Sequence, residues 1–455
     1  MRKLPVGWEW RPFATVATVM SNLVDPLDFA DMPHVAPNHI ESRTGRLLPH
    51  TTVAADGVTS AKHLFQPGQI LYSKIRPYLA KAVLVDFSGL CSADMYPIVT
   101  QLRSKYLLYW MLSPEFTEIA AQHQGRSVLP KINREALAQL PVPVPPTDDQ
   151  DRIIAAIEEY LSRLDEATEE LEHVRRRLQA LNESVVEAAV SGLLSSQRST
   201  DETASVLISR ILSGRSPEVS LGDLSPLPSG WTYATLGELA APEPNAITDG
   251  PFGSNLKTSH YTSSGPRVIR LQNIGNGKFQ DAEAHISEDH YEKLLKHSVR
   301  AGDLVIAALG TELPRACLVP SHVLPAIVKA DCIRFRAHPS LSAAYLSIAL
   351  NARSTRKRTA SLVHGVGRPR LNLGEIKGIV LPVPPMAEQA RLVSAVDQYV
   401  SALERLSVSV CASLVRASVL RRGILDSAFK GLLVPPNPTY SPIIDLVISA
   451  AGSAR

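Results

Sequence analysis

The sequence PVPPTDDQ at residues 143–150 precedes the longest uninterrupted helical pattern in the chain. Its two consecutive prolines disfavour a helix before them, because proline restricts its own backbone and that of the preceding residue. Thr147 and Gln150 have the spacing of a capping box, and the two aspartates between them suit the positive end of a helix dipole. The stretch therefore predicts that a helix begins at about Thr147.

Apolar residues recur every seven positions after this start. This row consists of Ile157, Leu164, Leu171, Leu178 and Val185. Gly192 is the first glycine that follows and is a natural C-terminal stop, so we expect helix to about Leu194. A helix of about 45 residues spans roughly 65–70 Å at 1.5 Å per residue. Such a helix is too long for one globular core and needs a partner helix.

The partner lies in the same chain. The sequence PVPPMAEQ at residues 382–389 repeats the first stretch 239 positions later, although Met386 replaces the capping threonine. A matching heptad row follows at the same offset. This second row consists of Val396, Leu403, Val410, Ala417 and Ile424. We predict that the ten residues of the two rows form the core of a coiled coil.

The repetition extends beyond the helices. LPVGW at residues 4–8 returns as LPSGW at 227–231, and colinear matches connect the two copies up to the helices. A duplicated unit of globular part plus helix is predicted, with pseudo-twofold symmetry. Each globular part is expected to be mixed α/β, with strands at 68–72, 81–86 and 95–100 and at 304–309, 316–319 and 326–335. Helices are expected at 105–122 and 341–353. A short helix is expected at 206–212, within the segment that links the two copies and begins with the Ser/Thr-rich residues 195–203.

Length and composition indicate a soluble protein of at least two domains. The chain has 455 residues, of which 45% are hydrophobic and 20% charged. No apolar run reaches the length of a membrane span, and the N-terminus lacks the apolar core of a signal peptide. The four cysteines are scattered and fit reduced thiols, and no His/Cys spacing suits zinc. We expect a cytoplasmic protein without a metal site.

The charge distribution separates the globular parts from the first helix. Residues 1–143 carry 14 Lys and Arg against 11 Asp and Glu, and residues 227–382 carry 18 against 12. Residues 144–194 carry 5 against 12. Basic globular parts and an acidic helix suit DNA contact by the former, with the helix kept away from phosphates. Ordinary variation of a mixed surface explains the same charges.

No motif for catalysis is present. The sequence contains neither a phosphate-binding G-x-x-x-x-G-K-[ST] loop nor a G-x-S-x-G nucleophile elbow. We therefore assign no catalytic residue. Besides a DNA-binding role without catalysis, two other hypotheses remain open at this point. One is a stand-alone or fused DNA methyltransferase, and the other is a coiled-coil scaffold that does not bind DNA.

Basic and amide side chains cluster in loops of both globular parts. Arginine, asparagine and glutamine pair with base edges, and lysine positions phosphates. Ordinary surface would account for many such clusters, but Lys131 and Arg370 stand at equivalent places in the two copies. The candidate DNA-binding residues are Lys74, Arg76, Arg126, Lys131, Arg134, Lys257, Arg270, Gln272, Asn273, Arg368 and Arg370.

Taken together, these motifs resemble the specificity subunits of type I DNA restriction–modification systems. The resemblance is carried by the two PVPP stretches, the duplicated LP-x-GW and the sequence DGPFGSNLK at residues 249–257. It covers nearly the whole chain. The family's usual Glu-Gln at the helix start is kept as Glu388-Gln389, whereas the first copy has Asp149-Gln150.

The resemblance implies an architecture. Residues 1–142 and 227–381 would be two target recognition domains of mixed α/β (α+β) fold. Residues 143–194 and 382–434 would be the two spacer helices, the family's conserved regions, which pack as an antiparallel coiled coil. Residues 195–226 would be a linker and residues 435–455 a C-terminal tail.

The resemblance also implies a function. The chain would be a non-catalytic subunit that reads a bipartite site on double-stranded DNA and docks two methyltransferase subunits, together with restriction subunits that act as motor and nuclease. S-adenosylmethionine, ATP and magnesium would belong to these partners, with no cofactor in this chain. Residues 406–420 of the second helix carry a single charged residue, Arg416. A helix so apolar needs cover on more than one side.

Overall fold

The computed structural model of the chain describes residues 2–123, 130–219, 224–365 and 367–435. The chain divides into two units. Unit 1 comprises Met1–His173 and Cys411–Arg455, and unit 2 comprises Val174–Val410. The two longest helices therefore each contribute one part to unit 1 and the other part to unit 2.

The described part of unit 1 contains ten short strands. They are β1 (Glu9–Pro12), β2 (Ala17–Val19), β3 (Leu23–Val24), β4 (His34–Val35), β5 (Lys62–Phe65), β6 (Ile70–Ser73), β7 (Ala82–Leu84), β8 (Gly89–Cys91), β9 (Met95–Thr100) and β10 (Pro141–Val144). One four-stranded sheet has the order β2-β9-β6-β7, another has the order β3-β5-β8-β4, and β1 pairs with β10. All pairs are antiparallel except β4 with β8.

Five helices begin among the described residues of unit 1. They are α1 (Phe13–Val16), α2 (Ser104–Leu112), α3 (Pro114–Gln122), α4 (Arg134–Gln139) and α5 (Thr147–Val190). The single helix predicted at 105–122 is wrong, because Pro114 cannot continue the preceding helix and starts a new one instead. Ser113 caps that new helix by accepting a hydrogen bond from the Phe116 backbone amide at 3.3 Å. The main core contains Trp110, Phe116 and Phe429.

The described residues of unit 2 form nine further strands. They are β11 (Thr232–Thr235), β12 (Ile247–Thr248), β13 (Tyr261–Ile269), β14 (His285–Ile286), β15 (Leu304–Ala307), β16 (Arg315–Leu318), β17 (Ala326–Val328), β18 (Cys332–Phe335) and β19 (Val380–Val383). One four-stranded sheet has the order β12-β18-β15-β16, which corresponds to the order β2-β9-β6-β7 in unit 1. A three-stranded sheet has the order β14-β13-β17, and β11 pairs with β19.

The single strand predicted at 326–335 is two strands in different sheets. β17 pairs in parallel with β13, whereas β18 pairs in antiparallel fashion with β15. The chain changes direction between them at Asp331, whose φ of 66° lies in the left-handed region. Asparagine and aspartate adopt this conformation more readily than other residues that carry a side chain.

Six further helices complete the described chain. They are α6 (Ala204–Ile211), α7 (Glu288–Lys293), α8 (Ala343–Asn351), α9 (Arg353–Thr359), α10 (Leu373–Lys377) and α11 (Met386–Phe429). The helix expected at 341–353 is α8, and α9 follows it after a break at Ala352. The short link helix α6 packs Leu207 and Ile208 into the core of unit 2.

The PVPP stretches join a strand to a helix in both units. Residues Pro141–Val144 pair with β1, and Val380–Val383 pair with β11, so the strand continues up to the double proline. The predicted capping role of Gln150 is wrong, because its side chain is used elsewhere. Its Oε1 accepts from the Arg103 amide at 3.0 Å and its Nε2 donates to the Pro145 carbonyl at 3.2 Å.

The same arrangement recurs at the second helix start. Gln389 accepts from the Ser342 amide at 2.9 Å and donates to the Pro384 carbonyl at 3.0 Å. Each glutamine therefore ties the first turn of a long helix to the start of a neighbouring helix, α2 or α8. Both glutamine residues are almost fully buried.

The ten predicted coiled-coil residues are all buried or half-buried. Within unit 1 the two long helices run antiparallel, because Arg152 donates to the Pro435 carbonyl while Asp165 forms an ion pair with Arg421. Within unit 2, Val185 of α5 packs against the core cluster that contains Val396 of α11. In the described part of the chain, the membrane-span criterion of length and hydropathy is not met by any helix.

Candidate nucleic-acid interface

In unit 1, three backbone hydrogen bonds hold together the segments that carry most of the predicted basic residues. The Lys74 amide donates to the Asp94 carbonyl at 3.0 Å, and the Ile132 amide donates to the Lys74 carbonyl at 3.0 Å. The Arg76 amide donates to the Pro130 carbonyl at 2.8 Å. We call residues 74–76, 94 and 130–132 the unit 1 frame.

The side chains of this frame form a small charged cluster. Lys131 Nζ lies 2.9 Å from Asp94 Oδ1, and Lys74 Nζ lies 3.9 Å from the same oxygen. The cations of Lys74 and Arg134 lie 5.5 Å and 5.6 Å from the centre of the Tyr96 ring. The structure therefore brings together three of the predicted basic residues around one carboxylate and one aromatic ring.

The environment of the cluster is electrostatically positive. Partial burial lowers the pKa of Lys74, although Asp94 opposes this shift. Nearby His63 is buried, and its pKa is lowered by that burial and then by the charges of Arg134 and Lys74. Burial disfavours a charge of either sign, whereas the neighbouring cations favour an anion such as a phosphate.

Arg76 has the most unusual backbone in the frame. Its φ of 48° and ψ of 59° place it in the left-handed region, and its side chain is exposed. A side chain in this region costs roughly 1–2 kcal/mol. Such strain at an exposed cation is a pointer to function. The predicted residue Arg126 lies outside the described part of the chain.

Unit 2 contains the same frame. The Ala308 amide donates to the Asp331 carbonyl at 2.9 Å, and the Leu371 amide donates to the Ala308 carbonyl at 2.9 Å. The Gly310 amide donates to the Pro369 carbonyl at 3.0 Å. We call residues 308–310, 331 and 369–371 the unit 2 frame.

The unit 2 frame holds one cation. Arg370 Nη2 lies 2.6 Å from Asp331 Oδ1, which matches the Lys131–Asp94 pair of unit 1. The positions of Lys74 and Arg76 are occupied by Ala308 and Gly310. The Arg370 guanidinium instead lies 6.0 Å from the ring centre of Phe252, which is exposed.

Phe252 belongs to the DGPFGSNLK loop, and the loop is anchored at both ends. A Cβ at Gly250 would lie 2.1 Å from the Lys329 carbonyl carbon, so glycine permits a close backbone approach. His297 Nδ1 lies 2.6 Å from the Asp249 carbonyl, and Leu256 is buried at the far end. Between the anchors, residues 252–255 are exposed.

The other predicted residues of unit 2 fall into two groups. Lys257, Gln272 and Arg368 are exposed. Asn273 is 1% exposed, and its amide donates to the carbonyls of residues 280 and 282 at 2.7 and 2.9 Å. Arg270 donates to the Glu283 carbonyl at 3.0 Å. These hydrogen bonds give Asn273 and Arg270 a role in holding the loop at residues 280–283.

Asp94, Asp331, Tyr96 and Phe252 were not predicted as site residues. The sequence held one signal for the two aspartates, since Ala93-Asp94 and Ala330-Asp331 are matching positions of the two copies. Among the described residues, no group of three or more His, Cys, Asp or Glu side chains is arranged to hold a metal ion.

Comparison with known proteins agrees with the geometry. No protein-family model matches the chain. The specificity subunit of the Escherichia coli type I restriction enzyme EcoDI is 43% identical over 194 residues, which cover 43% of this chain and 44% of that subunit. The E. coli EcoEI specificity subunit is 21% identical over 486 aligned positions, which cover 89% of this chain and 79% of that subunit.

A solved structure has the same fold. It comes from work on complex assembly and conformational transition of the type I restriction–modification system. Its matching chain has a TM-score of 0.65 and 20% identity, and the match covers 95% of this chain and all of that chain. Sequence and fold thus point the same way: the chain is similar in sequence to type I restriction–modification specificity subunits and shares the fold of a chain from such a system.

Proposed function

We propose that this chain is the DNA-recognition subunit of a type I restriction–modification complex and that each unit reads one half of a bipartite DNA site. One observation carries the proposal: the same backbone frame recurs in both units and presents a cation, Lys131 or Arg370, at the same place. Two similar frames with different neighbouring side chains suit two different half-sites.

The side chains around the frames fit this role. Exposed lysine and arginine neutralise phosphates and set the strength of binding, whereas arginine and amide groups read base edges. Arg76 is exposed within the unit 1 frame, and Arg134 and Arg368 are exposed next to frame residues in the sequence. An exposed aromatic ring such as Phe252 adds apolar contact with bases.

We propose that the chemistry belongs to partner subunits. Two methyltransferase subunits would bind S-adenosylmethionine and methylate adenine, and restriction subunits would use ATP and magnesium. Support comes from the second long helix, where Leu406, Val408, Val415, Val419 and Leu420 are exposed. Apolar side chains in such number on one helix suit burial against further subunits.

The test is to co-express the chain with a methyltransferase subunit encoded beside it in a host free of other such systems. Sequencing that detects methylated adenine should reveal one new bipartite motif, and a catalytically dead methyltransferase should abolish it. If both subunits are soluble and no new motif forms, the proposal is wrong. Binding of S-adenosylmethionine by the isolated chain would instead favour an enzyme, and a complex without affinity for DNA would favour a scaffold.

A further inference from the structure

We propose that Asp94 and Asp331 are positioning residues for DNA binding. Each aspartate pairs with the cation at the equivalent position of its frame, Lys131 in unit 1 and Arg370 in unit 2. The aspartate thereby limits how tightly that cation binds a DNA phosphate, whatever the base sequence. The inference rests on the proposed function and deepens it, because it assigns a cause of discrimination between target and random DNA.

Both ion pairs are built by the backbone rather than by chance side-chain contact. Each aspartate offers its carbonyl to the frame and directly precedes a core strand, β9 or β18. Each cation directly follows a proline that also joins the frame, Pro130 or Pro369. The carboxylate and the cation therefore face each other across fixed backbone, although they are 37 residues apart in unit 1.

The pairs contribute little to folding. The side chains of Lys131 and Asp94 are 46% and 37% exposed, and those of Arg370 and Asp331 are 50% and 26% exposed. Ion pairs as exposed as these stabilise proteins by at most about 1 kcal/mol. Stability alone gives no reason for the same pair to occur in both units.

The two frames differ wherever a side chain could read sequence. Lys74 and Arg76 in unit 1 correspond to Ala308 and Gly310 in unit 2, whereas the aspartate and the cation are present in both. A feature shared by two sites that read different bases serves a part of DNA common to both. The phosphate backbone is that part, because phosphate contacts position a protein without carrying sequence information.

The carboxylate sets a threshold for phosphate binding. A phosphate that approaches Lys131 or Arg370 must either displace the carboxylate from the cation or share the cation with it. Random DNA meets this cost at every register, whereas a matched site offsets it with base contacts. Removal of the carboxylate should therefore strengthen binding to random DNA more than binding to the target.

The test uses the full chain assembled with its methyltransferase subunits and a random-sequence duplex over a salt series. Asp94→Asn and Asp331→Asn should each bind about three- to fivefold more tightly at low salt, since an exposed pair is worth up to about 1 kcal/mol. Each variant should also steepen the dependence of log K on log salt by up to about 0.9, one phosphate contact. Asparagine is the right replacement at position 331, because it tolerates the left-handed backbone there.

Two matched controls remove a carboxylate from an exposed ion pair outside the frames. Glu158→Gln breaks a pair with Lys105 at 2.5 Å in unit 1, and Glu183→Gln breaks a pair with Arg353 at 2.7 Å in unit 2. They change the net charge by the same amount as the aspartate variants and should leave DNA affinity close to that of the unmodified complex. An equal gain in the controls would show a general charge effect and overturn the inference.

Two further comparisons separate positioning from structure. Asp94→Glu should restore affinity and salt slope to near the unmodified values, and Asp94→Asn, Asp94→Glu and Asp331→Asn should unfold at temperatures similar to that of the unmodified chain. Asp94→Asn should have a smaller effect when combined with Lys131→Ala, because the nearest cation is gone and only Lys74, 3.9 Å from the same oxygen, remains beside the carboxylate. If the unmodified complex binds DNA while Asp94→Asn and Asp331→Asn leave its affinity unchanged or weaker, this inference fails alone. If the unmodified complex binds no DNA at any salt concentration, the proposed function fails first.

Discussion

The frames of unit 1 and unit 2 share their backbone and differ in how they supply contacts. Unit 1 places Lys74 and Arg76 within the frame itself. Unit 2 has Ala308 and Gly310 at those positions and brings Phe252 to the frame on a separate loop. The backbone bonds do not depend on which side chains they carry, so one scaffold can present two different surfaces.

The helix starts differ in a more limited way. Glu388 is buried and accepts from Trp231 Nε1 at 2.9 Å and from Ser195 Oγ at 2.7 Å. Its counterpart Asp149 is one methylene shorter and instead pairs with Arg152 at 3.0 Å in its own helix. The change from Glu to Asp in the first copy is therefore compensated within the first turn, while the buried glutamine at the next position keeps its role.

The largest effect is expected where unit 2 departs most from unit 1, at the DGPFGSNLK loop. Gly250→Ala should destabilise unit 2 by about 2–3 kcal/mol, because the new methyl group overlaps the Lys329 backbone and forces it to move. Hydrogen exchange resolved by peptide should show faster exchange in unit 2 and no change in the exchange rates of unit 1. Gly367→Ala is the control, since a Cβ there meets no atom within 4 Å. Equal exchange in the two variants would contradict the tight approach.

An intermediate and equal effect is expected where the units agree. Tyr106 donates to the Pro143 carbonyl at 2.7 Å and Tyr345 to the Pro382 carbonyl at 2.9 Å, and burial raises the pKa of both well above the usual value. Replacing either by phenylalanine leaves a buried carbonyl without its partner and should cost about 1–2 kcal/mol. Urea unfolding, monitored in each unit by hydrogen exchange, measures this loss of stability. Costs that differ more than twofold would break the equivalence of the two helix starts.

The smallest effect is expected at Arg76, where unit 1 has a cation and unit 2 has glycine. Arg76→Gly keeps the left-handed backbone without steric cost, so stability should change by less than about 1 kcal/mol. For binding to random DNA, the slope of log K against log salt should become shallower by up to about 0.9. Over a fourfold range of salt, this change corresponds to about a threefold difference in affinity. Thermal unfolding and a gel-shift salt series test the two parts. Unchanged binding would remove Arg76 from the interface.

Local pattern predicted much of the fold. The heptad rows lie buried or half-buried in α5 and α11, because a seven-residue repeat on a helix defines one face. Each of the six predicted strand ranges overlaps an observed strand because apolar runs between turns are a local signal, but twelve of the nineteen described strands lie outside those ranges. The same reasoning missed the break at Pro114 and the turn at Asp331, where one residue interrupts an otherwise continuous apolar pattern.

The candidate site was predicted less well. Residue type identified Lys74, Lys131 and Arg370, which the structure gathers in the frames. Residue type equally selected Arg270 and Asn273, whose polar groups are bonded to loop carbonyls of their own unit. Composition states which side chains can bind DNA, but only neighbours in space show which of them are already engaged.

The sequence by itself determined the two long helices and where they start, and it predicted the heptad rows and the duplication, because these patterns depend on residues close together along the chain. Tertiary structure alone decided that Asp94 meets Lys131, that Asp331 meets Arg370 and that Gln150 binds the start of a neighbouring helix. Each of these contacts joins residues tens of positions apart and requires sheet pairing to bring them within hydrogen-bonding distance. Such pairing leaves no periodic signal, so the balance of charge at the two frames appears only in the folded chain.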